Sequence, residues 1–297
     1  MIKRTIYIGN PAKIYVHLGQ LKIDQNESGS ASIPIEDLGY LIIDHYGVSI
    51  THGALEQLLE NKVSVITTDS NHLPAGLFLP LVGSSTQTMN ITAQIKASKP
   101  LQKSLWQQII RAKIRNQGLL FDYLNLPSDF LHNLCSKVIS DDATNREAVA
   151  AKYYWTLLFD PLRFKRHWEG KPPNNLLNYG YAVLRAIITR AIVSSGLLPQ
   201  IGIHHHNEYD AFPLADDIME PYRPYVDLIV HNITQEELDI SVLRPDIKRA
   251  ILELPTIPVK MKKETKPLML AASWTTASLQ RCFAGKSKTI LYPELCG

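Results

Sequence analysis

Pro74-Ala-Gly-Leu-Phe-Leu-Pro-Leu-Val-Gly-Ser-Ser85 divides the chain in two. Proline and glycine punctuate this stretch and interrupt any regular period, so it reads as a linker over residues 75–86. On its N-terminal side the apolar residues come in short β-branched and aromatic runs. These are Thr5–Ile8, Lys13–His17, Leu21–Ile23, Ile33–Ile35, Tyr40–Ile43 and Val63–Ile66. Gly9-Asn10-Pro11 marks a turn between the first two, and the polar residues Asp24–Ser32 mark a hairpin loop. Leu55, Leu58 and Leu59 within His52–Glu60 instead have helical spacing, so one short helix interrupts the strands. Residues 1–74 are expected to form a small, mostly β domain.

Beyond the linker, residues 87–297 take on the helical period. Residues 87–123 contain a long amphipathic helical pattern, with Leu105, Ile109, Ala112 and Leu119–Leu120 on or near one face. Further helices are expected near 128–139, 141–158, 175–195, 214–231, 234–241 and 244–253. The Lys-rich tail after Pro258 has no clear pattern. The fold class is therefore α+β, a small N-terminal β domain followed by a larger all-α domain.

The 297 residues suffice for two domains, and 45% hydrophobic with 20% charged residues excludes a disordered or fibrous chain. No apolar run approaches the roughly 20 residues of a membrane span. The opening MIKRTIYIGN lacks the apolar core of a secretion signal, so the chain is expected in the cytoplasm. Cys135, Cys282 and Cys296 are scattered and never spaced as CxxC, which argues for reduced thiols rather than a disulfide framework or a zinc knuckle. A net charge of +3 does not by itself indicate nucleic acid; any such role rests on where the cations lie.

Three segments carry candidate chemistry. In Ser140–Phe159, Glu147 sits among Ala148, Ala150 and Ala151, where a ligand has room to approach a carboxylate. The competing reading is a capping box, Thr144-x-x-Glu147, unless Ser140 or Asp141 caps the helix and frees Glu147. In Gly202-Ile-His-His-His-Asn-Glu-Tyr-Asp210, three successive histidines cannot all face one point. They also lack the spacing of a helical zinc pair. In Leu214–Asp227, Asp216, Asp217, Glu220, Arg223 and Asp227 lie opposite an apolar stripe, which alone would suit a solvated face. Asp217 and Glu220 are one turn apart, however, and Pro221 and Pro224 lack the N–H groups that would bond the carbonyls of Asp217 and Glu220. The helix is expected to be disturbed at these acids.

Together Glu147, His205 and Glu220 offer two carboxylates and an imidazole, a set suited to Mg²⁺ or Mn²⁺ with positions left for water and phosphate. Candidate phosphate contacts are Arg163, Lys165, Arg166, Lys171, Arg185 and Arg190. The run Arg163-Phe-Lys-Arg-His-Trp168 interleaves cations with aromatics, as DNA ends would require. No glycine-rich phosphate loop and no GxSxG motif is present.

Asn175-Leu-Leu-Asn-Tyr-Gly-Tyr-Ala-Val-Leu184, Gly196-Leu-Leu-Pro199 running into Gly202-Ile-His-His205, and Leu214-Ala-Asp-Asp-Ile-Met-Glu-Pro-Tyr-Arg-Pro224 occur in that order. In these blocks, and across nearly its whole length, the chain resembles the CRISPR-associated integrases (CRISPR-associated protein one), in their type II branch. The resemblance implies an N-terminal β-sandwich and a C-terminal helical catalytic domain that inserts captured DNA into a CRISPR array. It implies metal ligation by Glu147, His205 and Glu220, with Asp217, His204 and Arg223 in support. His206, after the usual pair, departs from the family pattern, and whether His204 or His206 assists His205 is left open. The implied partners are double-stranded DNA (the captured fragment and the repeat), a second copy of the chain, and a small ferredoxin-fold subunit in a heterohexamer. For the type II branch the effector nuclease is a further one. A stand-alone nuclease acting on branched DNA, or a non-catalytic DNA scaffold, are the alternative expectations.

Overall fold

The structure is a computed structural model that describes residues 4–25, 29–70, 72, 74–159, 164–236 and 239–295. The N-terminal strands are β1 (Arg4–Ile8), β2 (Ala12–His17), β3 (Gln20–Gln25), β4 (Gly29–Pro34), β5 (Leu38–Ile43) and β6 (Val48–Ile50). Helix α1 (His52–Glu60) follows, capped by the Thr51 hydroxyl, and then strands β7 (Ser64–Thr68) and β8 (Pro74–Phe78). They form two four-stranded sheets, ordered β1-β5-β7-β8 and β4-β3-β2-β6. Alternation along the strands explains why the sheets stack. Leu41 and Val65, cross-strand neighbours, face Ile14, Leu21 and Ile23 of the second sheet. The next pair, Ile42 and Ile66, point the other way with Tyr40 into the core of the helical part. With both faces covered, β5 reads as a continuous apolar run.

Strand β8 takes up the first residues of the stretch expected as linker, pairing antiparallel with β7. Residues 79–86 then lead to the helices α2 (Gln87–Ile95), α3 (Lys99–Tyr123), α4 (Asp129–Ser136), α5 (Arg146–Leu158), α6 (Asn174–Ser194), α7 (Pro213–Met219), α8 (Arg223–Gln235) and α9 (Pro245–Leu252). A hairpin of β9 (Pro258–Met261) and β10 (Glu264–Pro267) and a final helix α10 (Leu268–Phe283) complete the described chain. The fold is thus α+β, strands first and helices after.

Several sequence expectations are corrected. The amphipathic stretch 87–123 is divided into two helices, because the Ser98 hydroxyl caps Leu101 N–H and Pro100 sits at the new start. The helix over 214–231 is broken where the prolines predict. No helix covers 239–241: Asp239 caps the backbone of Ser241 in a turn, and residues 237–238 lie outside the described residues. Strand β6 and helix α10 have no counterpart in the sequence reading. Cys135 and Cys282 are free thiols; Cys296 lies outside the described residues.

Among the described residues α6 is the one helix long and apolar enough to cross a bilayer, and 72% of its most apolar window is buried inside the protein. Its apolarity is accounted for by its place in the fold, packed against α7, α8 and α10. Gly180 lets α8 approach, since a Cβ there would strike Val226.

Two struts, the first of them buried, fix the sheets to the helices. Asp44, at the end of β5, is 3% exposed and accepts hydrogen bonds from Tyr7 Oη (2.5 Å), Thr68 Oγ1 (2.6 Å), His72 Nδ1 (2.7 Å) and Lys248 Nζ of α9 (2.9 Å). Burial pushes the Asp44 carboxyl up, but these donors outweigh it and hold the group below the ordinary carboxylate range. Arg190 of α6 lies over the Tyr40 ring at 5.0 Å and donates to the Lys62 carbonyl at 2.8 Å. Removing one partner of a buried pair leaves the other charge uncompensated. Lys248→Met is therefore expected to lower the free energy of urea unfolding by about 3–5 kcal/mol. Arg244→Ala, which breaks the exposed pair with Asp246, should leave the unfolding curve nearly unchanged.

Candidate active site

The site grows from polar residues inside the apolar stripe of α3. Lys113, Asn116 and Gln117 fall on one helical face amid Ile109, Ile110, Ile114 and Leu120, and all three are buried. Buried polar groups need partners. Lys113 Nζ donates to Glu147 Oε1 at 2.6 Å and stands 2.5 Å from Glu220 Oε2. The ammonium thus sits between the two carboxylates and is shared by them.

Glu147 reaches Lys113 because it is released from capping. The chain approaches α5 through Asp141, Asp142 and Asn145, all at positive φ, a conformation Asp and Asn tolerate better than most residues. This places the Asp142 carboxylate under the helix start, where it accepts both Arg146 N–H and Glu147 N–H at 2.9 Å. The capping box is thus not formed, and the cap is Asp142 rather than Ser140 or Asp141.

Glu220 owes its place to the prolines. Helix α7 ends at Met219, a tight turn spans Glu220–Tyr222, and α8 starts at Arg223. Pro224 has no N–H for the Glu220 carbonyl, which instead accepts from Arg223 N–H. Asn116 Nδ2 donates to the Pro221 carbonyl at 2.7 Å and to that of Pro293 at 3.1 Å. Glu220 is 4% exposed, with Arg223 Nη2 2.8 Å from Oε1. Burial raises its carboxyl, but the charges of Arg223 and Lys113 prevail and hold it below the ordinary value. Arg223 in turn lies over the Tyr181 ring at 4.7 Å. Tyr181 and Tyr154 donate to Asp227 at 2.5 and 2.8 Å, a fully buried carboxyl pushed up by burial to about 6.

The histidine run is organised by Asp217, which is 0% exposed. Its carboxylate accepts the backbone N–H groups of Ile203 (2.5 Å), His204 (3.0 Å) and His205 (3.2 Å). Gly202 makes this close wrap feasible, because a Cβ there would collide with the His205 carbonyl oxygen. The His205 ring nitrogen Nδ1 is 2.6 Å from Asp217 Oδ1. A carboxylate only accepts, so Nδ1 carries the proton and Nε2 is the nitrogen left to face a ligand. This hydrogen bond holds the imidazole above its ordinary pKa, against burial and with help from the charges of Asp217, Glu220 and Asp216. His204 stacks on Trp106, ring centroids 4.1 Å apart, and His206 is exposed.

Glu147 and Glu220 are therefore brought together, through Lys113, with His205 near enough to feel the Glu220 charge. Among the described residues no three His, Cys, Asp or Glu side chains stand close enough to share one ion. The donor chemistry nonetheless fits a hard divalent cation. Two carboxylates already flank a positive group, and a third carboxylate orients the imidazole. Of the phosphate candidates, Lys165 and Lys171 are exposed. Arg166 donates to Asn174 and Asn178 at 2.8 Å, Arg185 pairs with both oxygens of Asp216, and Arg190 is the strut described above. Arg163 lies outside the described residues. Sequence reasoning missed Lys113, Asn116 and Asp142; the signal for the first two is polar residues three apart in an apolar stripe.

The chain matches the family model described as CRISPR associated protein Cas1 over residues 6–240. The CRISPR-associated endonuclease Cas1 of Neisseria meningitidis serogroup C (strain 8013) is 34% identical over 298 residues, covering 99% of this chain and 97% of its own length. Among solved structures, a casposase bound to integration product gives a TM-score of 0.78 at 20% identity, over 98% of this chain and 92% of that one. A Cas6-RT-Cas1–Cas2 complex gives 0.69 at 20% identity, over 99% of this chain and 36% of that one. At such identities the structures bear on the fold alone.

Asp217→Asn keeps the shape of the residue but removes its charge and turns an amide toward backbone donors. The His205 pKa is expected to fall, read by NMR titration of its ring protons. The unfolding free energy should drop by about 1–3 kcal/mol for each donor left unpaired. An unchanged His205 titration would show that Asp217 does not hold the ring.

Proposed function

The chain belongs to the Cas1 family of CRISPR-associated proteins, and from that membership we propose that it is the integrase subunit of CRISPR adaptation, cutting DNA and joining captured fragments into the array. The observation that carries this reading is the meeting of Glu147 and Glu220 at one buried cation, with the His205 ring held by Asp217 near enough to feel the Glu220 charge. Glu147, His205 Nε2 and Glu220 would hold Mg²⁺ or Mn²⁺. When bound, such an ion polarises phosphoryl oxygens and makes a hydroxyl easier to deprotonate.

The reaction is a transesterification. The 3′-hydroxyl of the captured fragment forms a new bond to a repeat phosphorus and gives up its proton, while the bond to the leaving 3′-oxygen breaks and that oxygen is protonated. Asp217 fixes the direction of the His205 ring so that no reorganisation is needed during the reaction. Arg223 supports Glu220 and is itself held over Tyr181, which keeps that carboxylate charged in a buried place. The exposed Lys165 and Lys171 are suited to DNA phosphates.

The names of the similar structures, a casposase bound to integration product and a complex containing Cas2, support DNA and a small second subunit as partners. The working assembly in this reading is a pair of homodimers around that subunit in the bacterial cytoplasm, in contact with the effector nuclease of a type II system.

An integration assay on supercoiled DNA carrying the repeat, with and without the small subunit, tests the proposal. Joining is expected with Mg²⁺ or Mn²⁺, to be lost on chelation, and to be lost in Glu147→Ala, His205→Ala and Glu220→Ala proteins that remain folded. Arg244→Ala should join normally. Substantial joining by the Glu220→Ala protein would sink the site assignment, and cleavage of branched DNA without any joining would favour a stand-alone nuclease.

A further inference from the structure

Lys113 is the member of the cluster for which the reaction above has no task. Its side chain is 11% exposed and rises from the middle of α3, a 25-residue helix packed across the domain. The ammonium touches the same pair of carboxylates that the proposed ion needs, Oε1 of Glu147 and Oε2 of Glu220. Arg223 occupies the other oxygen of Glu220. A divalent ion placed between Glu147 and Glu220 while the ammonium stays would set two cations against the same pair of oxygens, where like charges repel strongly. The ion and the ammonium therefore exclude one another.

From this geometry we infer that Lys113 is a tethered counter-ion, which occupies the position of the metal in the metal-free protein and is replaced when a divalent ion binds. The inference rests on the metal reading of Glu147, His205 and Glu220 given above. It explains how acids from α5 and from the turn before α8 stay side by side without an ion, where mutual repulsion would otherwise separate them. It also makes metal loading an exchange of one cation for another, so the apparent affinity is weaker than the ligand set alone would give. A monovalent ion, which offers no more charge than the ammonium it displaces, gains nothing by entering.

The test compares Mn²⁺ binding to the full-length protein, by calorimetry, in wild type, Lys113→Met and Lys113→Gln. Glu220→Gln reports whether the ion binds at this site. Both Lys113 variants are expected to melt at lower temperature without metal and to bind Mn²⁺ about tenfold more tightly or better, because one charged contact no longer competes. Their gain in Tm on adding saturating Mn²⁺ should exceed that of wild type. A role for Lys113 in stability alone would leave the affinity unchanged. Equal or weaker Mn²⁺ binding by the folded variants overturns the inference and leaves the metal reading standing. A variant unfolded without metal but recovered by Mn²⁺ supports it, whereas one unfolded in both conditions overturns it. Absence of Mn²⁺ binding in every protein, or binding unaffected by Glu220→Gln, overturns the metal reading and this inference with it.

Discussion

Two carboxylates cannot rest side by side in a protein interior without a cation between them, and the architecture follows from meeting that condition. Lys113 supplies the charge from α3, Glu147 arrives from α5, and Glu220 arrives from the turn that joins α7 to α8. Each element is delivered by a local device that would look unimportant alone. Asp142 caps α5 so that Glu147 has no capping duty. Two prolines deny α7 its continuation, so Glu220 projects from a turn rather than a helix face. The meeting point is rigid because its surroundings are already paired: Arg223 lies on Tyr181, and Tyr181 and Tyr154 share Asp227.

Much of this was readable from the residues. The N-terminal strands announce themselves because each is short, β-branched and flanked by turn formers, and α1 stands out as the one segment there with leucines at helical spacing. The break at Glu220 was also legible, since proline chemistry is local and needs no tertiary information. What stayed hidden required distant partners. Lys113 looked like one cation among many on a long helix, and only the acids lying across the packed interface give it meaning. The cap at Asp142 was masked by a better-looking capping box starting two residues on, at Thr144, and the left-handed residues that move Asp142 into place leave no strong local pattern. Helix α10 follows a Lys-rich hairpin whose pairing depends on a partner strand rather than on apolar periodicity.

The histidine run shows the same division between local and distant information. The residues establish that three adjacent rings must point in different directions. They do not say which ring is held in place, because that is set by Asp217, a buried acid twelve positions beyond His205. Family resemblance pointed to His205, and the geometry supplies a physical reason: one carboxylate gathers three successive backbone donors and the ring that belongs to the third. Glycine at 202 is the entry condition for that wrap.

Asn116, one turn along α3 from Lys113, ties the carbonyl of Pro221 to that of Pro293 and accepts Leu295 N–H. The last described residues are in this way stitched to the floor beneath Glu220. For anyone engineering the protein, the segment from Pro293 to Leu295 is therefore not a neutral place for an insertion or a fluorophore. Whatever pulls on Pro293 pulls, through a single amide, on the turn that carries Glu220.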